Sequence, residues 1–185
     1  MEKVYGFTGK DMIRKFVLTG PESTGKSTLA EALAKHYQTV WVQEYARSYL
    51  ERLQQPYEKN DLIEIARGQL KLEDKMLKKA NKVLICDTDL TVIKIWYQHR
   101  YGKVHPFIMD NLNKRHYDLY LLPDVDLPWK YDPQREHPHL REYFFSLYEK
   151  ELRTRGIEYV ILKGPVEQRF ANAVNAIEAA RKLWK

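Results

Sequence analysis

The chain has 185 residues, 44% hydrophobic and 30% charged, a balance that suits one globular domain and excludes a disordered segment. No stretch reaches the roughly 20 apolar residues of a membrane helix. Residues Met1 to Lys15 are broken by Glu2, Lys3, Lys10, Asp11 and Arg14, so they lack the apolar core of a secretory signal.

A single cysteine, Cys86, cannot form an internal disulfide, which predicts a cytoplasmic protein. The net charge of +6 suits a polyanionic ligand as well as nucleic acid. The basic residues are scattered, however. Their densest group (Lys71, Lys75, Lys78, Lys79 and Lys82) is interleaved with Glu73 and Asp74, as on a solvated helix face.

In chain order, a first apolar run, Phe16–Thr19, predicts a strand. Gly20-Pro21-Glu22-Ser23-Thr24-Gly25-Lys26-Ser27 follows it, and then a helix over Ser27–Tyr37 with Leu29, Leu33 and Tyr37 on one stripe. The eight residues fit the phosphate-binding pattern GxxxxGK[ST] between a strand and a helix, the context in which its chemistry works. Two glycines allow close approach of backbone to ligand. The loop N–H groups, from Gly20 to Thr28, converge on phosphate oxygens at a helix N-terminus. Lys26 reaches the β- and γ-phosphates of ATP, and the Ser27 hydroxyl is a ligand for Mg²⁺.

A second strand, Val40–Gln43, delivers Glu44-Tyr45-Ala46-Arg47 at the start of a helix. Glu44 can accept a hydroxyl proton, bind a sugar diol, or only complement the helix dipole. Arg47 lies on the same face and can meet phosphate or pair with Glu44. A helix over Asp61–Lys79 leads to a third strand, Val83–Cys86, which ends in Asp87-Thr88-Asp89. An acid at the tip of such a strand suits Mg²⁺ or substrate, and the competing role for either aspartate is to cap the next helix.

A fourth strand, Leu119–Leu122, opens into a polar stretch, residues 123–139. It carries four of the chain's eight prolines and no apolar period, which predicts a lid loop. Helix Leu140–Leu152, strand Tyr159–Leu162 and helix Glu167–Trp184 complete the chain. Strands alternating with helices imply parallel βαβ units. The expected fold is therefore a three-layer α/β P-loop NTPase fold, with a parallel sheet of about five strands between helices, formed as one domain over residues 1–185. Ligands then bind beyond the carboxyl ends of the strands.

Taken in order, Gly20–Ser27, Glu44-Tyr45-Ala46-Arg47, Asp87-Thr88-Asp89 and Pro128-Trp129…Asp132…Arg135 resemble the ribosylnicotinamide kinase domain of the NadR proteins. The likeness runs from about Phe16 to the final helix. It implies a phosphotransferase that moves the γ-phosphate of ATP to the 5′-hydroxyl of nicotinamide riboside in NAD biosynthesis. It matches Gly20–Ser27 to the ATP loop, Asp87 to the strand-end acid, and Glu44 with Arg47 to the nucleoside side.

The family loop reads Asp-Gly-x-Arg where this chain has Asp132-Pro133-Gln134-Arg135. The adenylyltransferase domain that precedes the kinase in NadR has no counterpart in these 185 residues, so a separate adenylyltransferase would be a pathway partner. On this reading Lys26, Glu44, Asp87 and Arg135 are catalytic, with Arg141 a second lid arginine, and Ser27 with Asp87 holds Mg²⁺.

A pyridinium substrate calls for an aromatic face or a carboxylate. Trp129, Tyr45, Trp96 and Tyr97 are the aromatic candidates. Trp96, on a helix, reads as core, and Trp129, in the polar loop, as the better ring. Glu44, Tyr45, Arg47, Asp89 and Trp129 are the expected acceptor contacts. His137 and His139 read as polar lid residues rather than a zinc site. The rival readings are a kinase for another nucleoside or nucleotide, and a P-loop ATPase acting on a protein or nucleic acid.

Overall fold

The computed structural model describes residues 12–53, 55–135 and 138–182. Five strands form one parallel sheet: β1 (Arg14–Leu18), β2 (Trp41–Val42), β3 (Val83–Asp87), β4 (Leu119–Pro123) and β5 (Tyr159–Leu162). Their spatial order is β2-β3-β1-β4-β5. β3 and β4 are buried along their whole length, which is why they read as unbroken apolar runs.

The helices are α1 (Lys26–His36), α2 (Tyr45–Arg52), α3 (Lys59–Leu77), α4 (Leu90–Tyr101), α5 (Pro106–Lys114), α6 (Arg141–Thr154) and α7 (Val166–Lys182). On one face of the sheet Leu29, Leu33, Ala173 and Ile177 from α1 and α7 meet Phe16, Leu18, Ile85 and Leu121. On the other face Val92, Phe144, Tyr148 and Leu152 from α4 and α6 meet Val17, Leu84, Tyr120 and Leu122. These are the three layers expected from the alternating pattern.

A third apolar cluster joins α2, α3, α4 and α5 through Ala46, Leu62, Ile65, Leu90, Ile93 and Leu112. The sequence hinted at helices after Glu44 and Asp89 without bounding them, and it gave no sign of α5. That helix takes Pro106 at its first turn and is capped by His105 Nδ1, which accepts from Phe107 N at 3.1 Å. The predicted last helix runs to Lys182 among the described residues; Trp184 lies outside them.

The connection after β1 leads towards the β3 side of the sheet, and the one after β4 leads to β5 on the opposite side. The chain thus diverges at the β1/β4 boundary, where a parallel sheet opens a crevice at its carboxyl edge. The P-loop follows β1 and the polar loop follows β4, so both overhang that crevice. No described helix is long and apolar enough to cross a membrane.

Candidate active site

The P-loop is held by backbone conformations that side chains rarely permit. Gly20 has φ 134°, and a Cβ there would stand 3.0 Å from Leu122 Cδ1. Gly25, the N-cap of α1, has φ 81°. Within the turn, buried Thr24 donates from Oγ1 to Pro21 O at 3.0 Å, and Lys26 Nζ donates to the same carbonyl at 2.6 Å. Thr24 therefore shapes the loop, and Lys26 is folded back over the hollow that the loop encloses.

Three charged groups converge beside it. Burial pushes the Lys26 ammonium down from the lysine range, against the pull of Glu44, Asp87 and Glu22. Burial also pushes the Glu44 carboxyl up, and Asp87 adds to that while Lys26 and Arg47 oppose it. The Asp87 carboxyl is raised by burial too, against a hydrogen bond from Ser27 and the charges of Lys26 and Arg47. Two partly desolvated acids thus face one ammonium, the arrangement in which pKa values part from their ordinary ranges.

Glu44 is available to the cleft because another residue caps its helix. It occupies the N-cap position of α2 without a side-chain capping bond. Instead Gln69 of α3, buried to 3% exposure, accepts from Tyr45 N at 2.7 Å and donates to Gln43 O at 3.3 Å. Nothing in the linear pattern of α3 sets Gln69 apart from any other polar helix residue, so sequence reasoning missed it.

Asp87 and Asp89 part company at Thr88, whose φ of 71° reverses the chain while its N–H donates to Leu18 O at 3.0 Å. Asp87 stays at the end of β3, 2% exposed, with its Oδ1 lacking a hydrogen-bond partner. Asp89 turns into the core as the N-cap of α4. It accepts from Thr91 N at 3.2 Å, Thr91 Oγ1 at 2.8 Å and Tyr120 Oη at 2.8 Å. The expectation that Asp89 meets substrate is not matched by this placement: its oxygens are taken by capping and core donors.

The residues fit Mg²⁺. An orphaned carboxylate oxygen on Asp87 and the neighbouring Ser27 hydroxyl are hard donors, and with phosphate oxygens and waters two such groups suffice for this ion. Among the described residues no group of three or more His, Cys, Asp or Glu is arranged to hold a metal. His139 has no partner ligand set there, and His137 lies outside the described residues.

The polar loop lies across the P-loop. Ser23, itself at φ 56°, accepts at Oγ from Lys130 N at 2.9 Å and from Arg135 at 3.4 Å. Arg135 also donates to Lys130 O, and Arg141 bridges Leu127 O at 2.9 Å and Ser23 O at 3.1 Å. Asp132 receives Arg47 at 2.9 Å, and Gln134 donates to Arg47 O at 3.2 Å. Arg47 is thus tied to the loop rather than hydrogen-bonded to Glu44. The turn at Asp132 closes with Arg135 N on Asp132 O at 3.0 Å. Pro133 serves it in place of a glycine, since this turn needs no positive φ.

Beneath these contacts Arg169 of α7, 2% exposed, donates to Thr24 O at 2.8 Å, Gly164 O at 2.8 Å and Asp124 O at 3.1 Å, and it pairs with Asp126. One guanidinium thus joins the P-loop to the loops after β4 and β5. In the sequence it was one more cation on an amphipathic helix.

A cavity of about 120 Å³ opens from the P-loop between Glu44, Arg47, Arg135, Trp96 and Tyr148. A second of about 180 Å³ adjoins it, sharing Glu22, Leu50, Trp96 and Gln134 and ending at Tyr57 and Phe144. Trp96, half-buried on α4, lines both cavities, although the helical pattern had assigned it to the core. Trp129 instead lies between the guanidinium groups of Arg135 and Arg141, 6.0 and 5.9 Å from its centroid. Tyr97 is core, and the Tyr45 ring packs against Gly68 of α3, where a Cβ would collide with it. On the other side of the P-loop, an apolar cavity of about 330 Å³ runs between Thr28, Leu29, Leu127, Pro128 and Val166.

Comparison with known proteins fits this geometry. The chain is 30% identical over 173 residues to the trifunctional NAD biosynthesis/regulator protein NadR of Salmonella typhimurium, covering 90% of this chain and 42% of that protein. The chain therefore spans less than half the length of that relative. A crystal structure of NadR protein in complex with NR superposes with a TM-score of 0.78 at 21% identity, over 91% of this chain and 51% of the other. A deoxyadenosine kinase from M. mycoides superposes with a TM-score of 0.66 at 15% identity, over 89% and 99%. At these identities the superpositions speak for the fold: a five-stranded parallel sheet flanked by helices, as in P-loop kinases. Residues 15–169 match the family described as AAA domain, and with most of its length inside that match the chain belongs to this family.

Proposed function

We propose that the chain is an ATP-dependent kinase that transfers the γ-phosphate to the 5′-hydroxyl of nicotinamide riboside, yielding nicotinamide mononucleotide. The observation that carries this reading is that Lys26 and Glu44, which feel the charge of Asp87, line one cavity together with Trp96. A phosphate cradle beside an enclosed aromatic cavity is what transfer to a small alcohol requires, and an ATPase needs no such cavity.

In this reading the P-loop amides and Lys26 hold the β- and γ-phosphates, and the apolar cavity between Leu29, Pro128 and Val166 takes the base of ATP. Ser27 and Asp87 would hold Mg²⁺, which neutralises phosphate charge when bound. Glu44 accepts the hydroxyl proton as the phosphorus–oxygen bond forms and ADP leaves. Arg135, reaching the cleft from the loop, offsets charge on the transferred group. The loop's contacts to Ser23 keep water out, which matters because hydrolysis competes with transfer. The acceptor fits the resemblance to NadR and the aromatic wall, since a pyridinium ring gains about 0.5–2 kcal/mol from an aromatic face. A separate adenylyltransferase would then consume the product.

The test is incubation with Mg-ATP and a panel of nucleosides and nucleoside monophosphates, with products identified by mass spectrometry. Nicotinamide mononucleotide is the expected dominant product. Phosphorylation of a different acceptor in its place, or ADP and free phosphate alone, overturns the proposal.

A further inference from the structure

Each of the three guanidinium nitrogens of Arg169 ends on a backbone carbonyl: Nε on Gly164 O at 2.8 Å, Nη1 on Thr24 O at 2.8 Å and Nη2 on Asp124 O at 3.1 Å. Arg141, the first residue of α6, reaches the preceding P-loop carbonyl, Ser23 O, at 3.1 Å. Two consecutive carbonyls of the P-loop are thus held by guanidinium groups from the helices that follow β4 and β5.

A trans peptide carries its C=O and its N–H on opposite sides of the chain. The bond to Thr24 O therefore turns the Gly25 N–H away from Arg169. Thr24 and Gly25 line both the hollow at Lys26 and the apolar cavity behind it, whereas Arg169 lines only the apolar cavity. The side away from Arg169 is thus the phosphate side. Rotation of the Thr24–Gly25 peptide is otherwise cheap, because Gly25, at φ 81°, accepts either sign of φ. The Gly25 carbonyl is committed to the first turn of α1, accepting from Leu29 N at 3.0 Å. The freedom therefore lies in the one peptide that Arg169 holds. Turned the other way, that peptide presents an oxygen to phosphate in place of an N–H, and attraction becomes repulsion.

We infer that Arg169 is a positioning residue for the phosphate donor: it locks the Thr24–Gly25 peptide so that the Gly25 N–H meets a phosphate oxygen. This rests on the P-loop kinase reading above and deepens it on the donor side. The guanidinium acts by orientation rather than by charge, since it lies behind the loop backbone and is paired with Asp126. A lysine in its place keeps the charge but offers one ammonium, which cannot reproduce a planar fork spanning three carbonyls.

The experiment measures binding of inorganic triphosphate, which has no base, to the wild type, Arg169→Lys and Asp126→Asn by calorimetry. Amide spectra of the isotope-labelled wild type are recorded over the same titration. Arg169→Lys should raise the Kd at least about fivefold, as expected from the loss of one amide hydrogen bond to a charged group. Asp126→Asn leaves the fork on its three carbonyls and should stay within about twofold of wild type. In the wild type the Gly25 amide proton should move downfield as triphosphate binds, a signature that loop stability alone does not produce. A smaller rise in Arg169→Lys overturns the proposal. So does an equal rise in Asp126→Asn, which would mean a general loosening of the loops after β4 and β5. Should Arg169→Lys fail to fold, the spectrum decides: a Gly25 amide unmoved by bound triphosphate overturns the proposal. In each of these outcomes the wild type still binds triphosphate, and the kinase reading stands. A wild type that binds neither triphosphate nor ATP overturns that reading, and this inference with it.

Discussion

Around the P-loop, geometry is set by backbone: two glycines at positive φ, a left-handed Ser23, and hydrogen bonds that end on Pro21 O and on the carbonyls of Ser23 and Thr24. Across the cleft, geometry is set by side chains on separate elements. Glu44 faces inward because Gln69 caps α2, Trp96 reaches the cavity from α4, and Arg47 is fixed by Asp132 of the loop after β4. The phosphate side is local in sequence and bound by steric rules common to any chain. The acceptor side is assembled from four segments, so it can change its ligand without disturbing the other half. A constant donor and a variable acceptor follow from that division.

Substitutions can break this contrast or sharpen it. The largest effect is expected for Lys26→Ala. On the proposed reading it removes the ammonium that meets the phosphates, and it should lower kcat by about 10³-fold, with the KM for the nucleoside changed little, as read by steady-state kinetics. An equal rise in nucleoside KM would show that the two sides are not separable.

Glu44→Gln stands at the boundary. Loss of a base of this kind costs about 10²-fold or more in kcat. The pH profile identifies it: burial and Asp87 raise the Glu44 carboxyl above the ordinary carboxylate range. As the proposed base Glu44 works ionised, so kcat/KM should fall as pH drops through that raised value, and the fall should vanish in Glu44→Gln. If the acid limb persists in the variant, Asp87 is the titrating group.

Trp96→Ala should act on one side only. Loss of base stacking, about 1–3 kcal/mol, predicts a nucleoside KM raised by about tenfold, with the KM for ATP within about twofold. Parallel changes in both would indicate collapse of α4 rather than loss of a ring contact.

What the sequence disclosed follows the same line. The five strands and four of the helices were legible because burial on both faces leaves unbroken apolar runs and burial on one leaves a stripe. The P-loop was legible because its rules are local. Trp96 was not, since a half-buried indole beside a cavity and one in a core have the same helical spacing. Gln69 and Arg169 act through backbone groups 26 and 145 residues away, and no local pattern reports such a partner. Asp87 and Asp89 are the sharpest case: the strand end located both, and only the left-handed Thr88 separates a cleft acid from a core cap.

That separation gives the prediction with the smallest effect on catalysis. Asp89 does not line the acceptor cavity, so Asp89→Asn should alter kcat by no more than a few fold, and its amide can still accept at the N-cap. Its effect is on stability. Burial pushes the Asp89 carboxyl up to about 6 from 3.8, against the hydrogen bonds from Tyr120 and Thr91. Because the folded state holds this proton more tightly than the unfolded one, the stability it contributes is present below pH 4 and lost as pH rises through 6. The interval of about two pH units corresponds to roughly 2–3 kcal/mol. The variant cannot titrate there. The stability of Asp89→Asn relative to wild type, from urea unfolding, should therefore grow by about that amount between pH 4 and 7. A difference constant with pH would mean that Asp89 ionises as an ordinary carboxylate. The capping donors would then outweigh the burial, and Asp89 would be as well solvated by its partners as Asp87 is poorly solvated by its own.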